Sequence, residues 1–442
     1  MPRELPGFYW DEEKRRYFPL SSKPSQPSTA AVKAAVTSKT PSGHTPRSSS
    51  PKPSKKTRSH GLWKSSEKVR STSSGSSNCA RRTIHEIVSS QIASTSRVIP
   101  TSVPLQANGN ITAFCTTSLD GNTRRMIGDS QGWLYSYEGA DDNWDGVDTP
   151  AHPAPRWLPN LSLTSEITSI CMSGSRCVAT SYGPSCKIVV QDLSTTEAYV
   201  LSPGDRVIHD IWTAHLQDRS LTLGVRKKAI YIRDIDTARS LETLDTQSDV
   251  FAVHQNENLV LTGARNGWVK RFDMRIDSPH GQDLLQNKYK DCRSSITYLN
   301  VINEWRLLTS TVNGDLEMFD LRFPNHTDPL MTFSGHINSY SMKLPVAIDP
   351  SSSFIFAAGQ DSRVRAWSLH TGEILHPPQG GPSTSSTREI QADVTNPLKV
   401  TFDKPVSALQ VTREREGSCL WATSGRNLYQ CHLGQRPSWD FS

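Results

Sequence analysis

Seven times between residues 111 and 433 the sequence sets down three short β-rich runs separated by Gly, Asn, Asp and Ser, and this recurrence constrains the fold more than anything else in the chain. The third runs are GDSQGWLYSYE, SYGPSCKIVVQDL, GVRKKAIYIRDID, GARNGWVKRFDMR, TVNGDLEMFDLR, AGQDSRVRAWSL and SGRNLYQCHL. Their corresponding positions, Tyr137, Gln191, Arg233, Phe272, Phe319, Trp367 and Cys431, are 54, 42, 39, 47, 48 and 64 residues apart. Two shorter strand-like pieces precede each, from ITAF and RMIGD in the first repeat to PVSALQV and CLWATSG in the last. A unit of that size cannot bury its own apolar face and must stack on copies of itself. Seven triplets therefore predict an all-β, seven-bladed propeller. Such a ring is stable only when sealed, because an open edge leaves unpaired backbone donors and acceptors. The last triplet ends near Leu433, and the remaining GQRPSWDFS is too short and polar for another strand. SRVIPTSVPL, residues 96–105, is the candidate closing strand, confined to an edge by Pro100 and Pro104.

Charge divides the chain elsewhere. The net +6 is not uniform: residues 21–80 hold 8 Lys and 3 Arg against the single acid Glu67, so the other residues carry a small negative balance. From Ser21 to Asn78 there are 18 Ser, 6 Thr and 6 Pro, and Trp63 is the one aromatic, a composition that cannot offset its ordering entropy by burial. The expected organisation is an aromatic and charged tag over 1–20, a disordered linker over 21–80, a short helix and closing strand over 81–105, the propeller over 106–434 and a tail over 435–442. Ile84, Ile87, Val88 and Ile92 fall at i, i+3, i+4 and i+8, one face of a short helix, the alternative being a β-strand paired with the propeller.

The repeats resemble those of WD-repeat propellers over residues 111–433. In AAGQDSRVRAW, Asp361 stands six residues before Trp367, and the resemblance implies that carboxylate and indole share a buried hydrogen-bond network. Asn266 and Asn313 precede Phe272 and Phe319 at the same spacing, but phenylalanine has no N–H to offer. The Gly-His pair of the family survives as Gly335-His336.

No catalytic constellation accompanies the fold. GxSxG, Walker, HExxH and C-x-x-C patterns are absent, and the 13 His share no spacing. No run of 18 apolar residues suits a membrane span, the start MPRELPGFYW lacks an apolar signal core, and the eight scattered Cys suit neither zinc nor a disulfide framework. The expectation is a binding module rather than an enzyme, needing no cofactor or metal and contacting neither membrane nor nucleic acid. KPSKKTR, residues 52–58, resembles a nuclear-import patch, which points to the nucleus, the cytoplasm or both.

One irregularity singles out a surface. The third strands of neighbouring repeats end in FDMR and FDLR, placing Arg275 after Phe272-Asp273 and Arg322 after Phe319-Asp320, where other repeats carry Ala140, Ser194, Asp236, His370 and Gly434. Paired boxes of this kind are similar to the docking motif of WD-repeat substrate receptors of cullin-4 RING ubiquitin ligases. The opening LPGFYWDEEKRRYFPL, residues 5–20, resembles the tag of the cullin-4-associated factor 4 family within that group. The resemblance implies a substrate receptor that binds the DNA damage-binding protein 1 adaptor through the two boxes and through a helix bearing Ile84, Ile87, Val88 and Ile92, and that presents an unidentified protein substrate to the ligase. The competing reading is a generic WD-repeat scaffold of a chromatin or RNA-processing assembly.

Strand geometry puts the turns before the third strands on the opposite face. They carry Arg226, Lys227, Lys228, Arg265, Arg363 and Arg426, offset only by Asp361, with Trp133 and Trp268 as apolar anchors. That ring predicts a substrate face suited to acidic or phosphorylated ligands.

Overall fold

The computed structural model describes residues 8–11, 16–19 and 73–435, apart from 107, 120–121, 139–155, 196, 205–207, 238–239, 277–278, 286–293, 324–327, 340, 342, 378–395 and 415–416. The linker expected over 21–80 lies outside the described residues up to 72. The chain divides into two units, Met1–Ser66 and Glu67–Ser442. In the first, β1 (Phe8–Asp11) pairs antiparallel with β2 (Arg16–Pro19), setting Tyr9 opposite Phe18, Trp10 opposite Tyr17 and Asp11 opposite Arg16.

The second unit is the seven-bladed propeller that the seven triplets predict. Alternating short apolar runs and turn residues give antiparallel sheets, and in six of the seven sheets the strands follow chain order from the axis outward. Blade 1 starts at Ile111, blade 2 at Ile167, blade 3 at Thr213, blade 4 at Val250, blade 5 at Ile296, blade 6 at Val346 and blade 7 at Val406. Six blades have four strands, and blade 6 has three among the described residues. The fourth strand of blade 7 is β3 (Arg97–Ser102), which pairs antiparallel with Asn427–His432 and puts Pro100 opposite Tyr429. Only one side of β3 is paired, so the missing N–H of Pro100 costs no ladder bond.

Apolar burial is organised between blades rather than within them. Seven clusters of buried side chains each combine two neighbouring sheets, from Met126 and Leu134 with Ile167 at blades 1 and 2 to Phe114 and Ile127 with Trp421 at blades 7 and 1. One cluster per interface means that no blade is stable without both neighbours. Close approach is enforced at Gly128 and Gly263, where an added Cβ would lie 2.4 Å from Ile167 Cγ2 and 2.5 Å from Ile296 Cγ2, the first strand residue of the following blade in each case.

Helix α1 (Ser73–Ala93) begins earlier than the sequence suggests, taking in the Ser-rich end of the segment read as linker. Its C-terminal turns are fixed by packing. Ile92 and Ala93 are buried with Phe354, Phe356 and Phe402 of the interface between blades 6 and 7, and Val88 packs against them. A helix anchored at one end extends at little cost per added residue, which carries it through polar sequence.

Removing residues 1–72 should leave the melting temperature of the propeller unchanged. Removing 1–110 takes away α1, β3 and the Val103 and Leu105 contacts, and should give insoluble or unfolded protein, as measured by differential scanning fluorimetry and size-exclusion chromatography.

Candidate functional site

The two boxes end the third strands of blades 4 and 5, at the same register and on the same rim. Phe272 and Phe319 are not surface residues: they are 2% and 7% exposed and lie in the inter-blade clusters. What they anchor is a two-residue clip. Asp273 Oδ1 accepts from the Arg275 backbone N–H at 3.1 Å and from its Nε at 2.9 Å, while Oδ2 accepts from Nη2 at 2.6 Å. Asp320 repeats the arrangement with Arg322, at 3.0, 3.0 and 2.7 Å. The guanidinium hydrogen bond draws the Asp273 carboxyl down to about 2 and lowers that of Asp320, so both clips are ionised throughout the physiological range. Arg322 also lies 3.7 Å from the ring centroid of Trp305. The arginine side chains nevertheless remain 68% and 55% exposed. Each is thus held in one pose while facing solvent, and the residue after each is an exposed apolar side chain, Ile276 at 63% and Phe323 at 56%. The apolar residue following each box is visible in the sequence, but its exposure is not.

Helix α1 does not present its four aliphatic residues together. Val88 is half-buried and Ile92 buried against the propeller's own interface, whereas Ile84 and Ile87 are 60% and 52% exposed. The face that docks inward is completed by His85, whose ring stacks on Phe354 at 5.0 Å and whose Nε2 is 2.7 Å from Ser368 Oγ. An amphipathic assignment based on apolar residues alone could not see a histidine serving as a core contact. Of the four, Ile84 and Ile87 are the ones open to a partner.

On the opposite rim the cations are less free than the sequence implies. Arg265 pairs with Asp249 at 3.3 Å, so Asp361 is not the only offsetting acid. Asp249 also accepts from the Lys227 backbone N–H. Arg363 Nε donates to Thr401 and Arg426 to the Leu105 carbonyl. Arg226 and Lys227 are exposed and Lys228 half-buried. Trp133 packs against the cluster between blades 7 and 1, and Trp268 is half-buried, with Lys270 Nζ 5.8 Å from its ring centroid, so neither is an open anchor.

The expected Asp361–Trp367 network is also corrected. Asp361 makes a bidentate pair with Arg365, four residues on, at 2.9 and 2.6 Å. The Trp367 indole N–H instead donates to the Ser334 carbonyl, and His336 bridges Gly314 O and Ala358 O. A neighbouring guanidinium outcompetes an indole for a carboxylate because the hydrogen bond is charge-assisted. A buried carboxylate that does organise a blade is Asp129, which takes N–H bonds from Gln131 and Trp133 and the Tyr135 hydroxyl at 3.0 Å. Burial and Asp129 raise that phenol to about 12.

Among the described residues the cysteines are free thiols. Among the described residues, Glu414, Cys419 and His432, drawn together by three adjacent strands of blade 7, have ligand atoms within 4.8 Å of one another, a spacing compatible with a metal ion. Burial holds the Cys419 thiol well above its usual range, which makes it a poor nucleophile. Among the described residues nothing pairs an activated nucleophile with a base.

His215 and His254, on the innermost strands of blades 3 and 4, meet edge to face at 5.0 Å. Burial lowers them to about 4 and about 3, and His215 Nδ1 has no hydrogen-bond partner among the described residues. An unfolded histidine titrates near 6.5, so between that pH and the folded values the unfolded chain binds more protons. Stability contributed by the neutral pair is therefore present above pH 6.5 and is lost as pH falls toward 4. Asn300 occupies the corresponding register in blade 5, which makes His215→Asn/His254→Asn the natural control. Its melting temperature should fall less between pH 6.5 and 5 than that of the parent.

Comparison with known proteins agrees with the propeller fold. The family described as the DDB1- and CUL4-associated factor 4 beta-propeller domain matches residues 210–399. An uncharacterized WD repeat-containing protein of Caenorhabditis elegans is 27% identical over 172 residues, covering 38% of this chain and 30% of that protein. DDB1- and CUL4-associated factor 4 of Bos taurus is 26% identical over 169 residues, 37% of this chain and 32% of its own length. The matched stretch thus spans about a third of these relatives. Among solved structures, the WD40 beta propeller domain of Doa1 superposes with a TM-score of 0.51 at 15% identity, covering 76% of this chain and 96% of that one. The seven blades show a WD-repeat propeller, and the sequence matches show that it is similar over residues 210–399 to the propeller of DDB1- and CUL4-associated factor 4.

Proposed function

We propose that the protein is a non-enzymatic substrate receptor that docks on the DNA damage-binding protein 1 adaptor of a cullin-4 RING ubiquitin ligase and holds a protein substrate on its other face. The observation that carries this reading is the pair of clipped arginines, Arg275 and Arg322, at one register on neighbouring blades. Arginine is enriched at interface hot spots, and one already held in its bound pose loses less side-chain entropy on binding. The names of the relatives support the choice of adaptor. Ile84 and Ile87 of α1 add an apolar contact of the helix-in-groove kind.

The variant Arg275→Ala/Arg322→Ala should lose adaptor capture by about tenfold or more. Its melting temperature should stay within about 2 °C of the parent, since exposed side chains seldom decide stability. Surface plasmon resonance on immobilised adaptor provides the measurement. Undiminished capture by the folded double variant would assign the propeller to some other assembly, a chromatin or RNA-processing scaffold included.

A further inference from the structure

The propeller axis holds a cavity of about 590 Å³. All seven innermost strands or the residues leading into them line it, among them Thr112 of blade 1, Thr168 of blade 2, Trp212 of blade 3, Phe251 of blade 4, Thr297 of blade 5 and Ser407 of blade 7. Lys343 enters it from the approach to blade 6. The cavity is in the size range of ligand sites and opens on the rim opposite the boxes, where the innermost strands begin.

Several polar groups of the lining are already engaged within the propeller. The Thr112 hydroxyl donates to Ile167 O at 2.7 Å and the Ser407 hydroxyl to Ile111 O at 2.7 Å, each across a blade boundary. Thr168 and Thr180 share a hydrogen bond at 3.0 Å. Lys343 is different. Its ammonium crosses from blade 6 to donate to the Thr168 carbonyl of blade 2, which accounts for one of its three N–H donors. No carboxylate lies within 4.0 Å of it among the described residues; Glu166, which lines the same cavity, attracts it from farther off without pairing. The side chain is open to the water of the cavity yet surrounded by protein, and burial lowers its affinity for the proton. A cation in such surroundings is stabilised by an anion that brings acceptors into the cavity.

The wall across blades 2 to 4 is aromatic. Tyr182 and Trp212 have ring centroids 4.9 Å apart, and Trp212 and Phe251 meet edge to face at 5.2 Å. These three rings line the same cavity as Lys343. On the surrounding rim Arg226, Lys227 and Arg265 are exposed, while Asp249 pairs with Arg265 and accepts from the Lys227 backbone N–H, and Asp210 and Glu166 also act on Tyr182. Selection therefore falls to Lys343 and the aromatic wall rather than to the rim charge.

We infer that the cavity mouth is the substrate-binding site and takes an acidic segment of a polypeptide, in which a carboxylate pairs with Lys343 while an adjacent aromatic or large apolar side chain packs on Trp212 and Phe251. This rests on the receptor reading above and adds to it the chemical class of the substrate. Lys343 supplies the charge that selects an acid over its amide, and the aromatic wall supplies contact area. The surrounding cations speed the encounter in a salt-dependent way.

The test uses the full-length chain and a fluorescein-labelled peptide with a Phe-Glu-Phe core, read by fluorescence anisotropy. The peptide should bind, its Phe-Gln-Phe counterpart should bind about tenfold more weakly or worse, and Lys343→Met should abolish that preference while Lys343→Arg keeps it. Trp212→Ala should weaken both peptides, with Trp212→Phe restoring part of the loss. Phenylacetate and inorganic phosphate serve as competitors: displacement of the peptide at low concentration by either, with weaker peptide binding than that of the small anion, would assign the cavity to a free small molecule and overturn the inference. So would absence of peptide binding, or binding indifferent to Lys343→Met. Adaptor capture, measured on the same variants, separates the two readings. It should be unchanged by every substitution in the cavity, so a failed peptide assay leaves the docking result to stand or fall alone.

Discussion

Pairing of Arg97–Ser102 with Asn427–His432 is the interaction on which the remaining structure depends. Every apolar cluster of the propeller is shared by two blades, so each sheet is stable only if the ring is complete. The seal is made from residues more than three hundred positions apart, and it couples the start of the propeller to its end. Further bonds tighten the same joint: Ser96 N–H donates to Gln435 O, Gly434 N–H to the Thr95 hydroxyl, and the Arg97 guanidinium to Gln435. Helix α1 lies just before this strand and packs across the interface of blades 6 and 7, so its position is fixed by the closure as well.

A closed ring gives two rims whose side chains hold constant spacing, and the functional reading follows from that rigidity. Phe272 and Phe319 sit in consecutive inter-blade clusters, which sets the two boxes in equivalent places on neighbouring blades. Their aspartates then hold the arginines from within the same turn, so the exposed guanidinium groups owe their pose to two residues of local sequence and one buried ring. Ile276 and Phe323 add exposed apolar surface beside them. On the other rim the rings of Tyr182, Trp212 and Phe251 and the ammonium of Lys343 surround the axis. The two surfaces share a scaffold but no residues, so that under the proposed reading an adaptor and a substrate do not compete for one surface.

Blade count and the equivalence of the two boxes were legible because they rest on period and on turn residues, which survive divergence of the side chains, whereas the outer fourth strands of blades 1 to 5 fall in the variable stretches between triplets and were not. The partners of individual polar groups were not. Asp361 has the spacing of a network carboxylate, yet Arg365 two residues before the tryptophan captures it, and only geometry decides that competition. Asp129, which does organise its blade, stands six residues before Tyr135, a signal that was available but masked by the expectation of a tryptophan. Helix α1 showed its aliphatic periodicity, but which side faces the propeller depends on His85 and Phe354, far apart in sequence. Lys343 gave no signal at all, because its neighbours in the cavity come from every blade.

Hydrogen–deuterium exchange of the full chain, alone and with the DNA damage-binding protein 1 adaptor, tests the docking surface most directly. The account predicts slowed exchange in the box segments 273–276 and 320–323 and in the turns of α1 around Ile84 and Ile87. The turns at 226–228, 265–268, 359–363 and 425–426 should be unaffected. Protection of those turns instead, or of neither rim, would contradict the assignment of the boxes as the docking face.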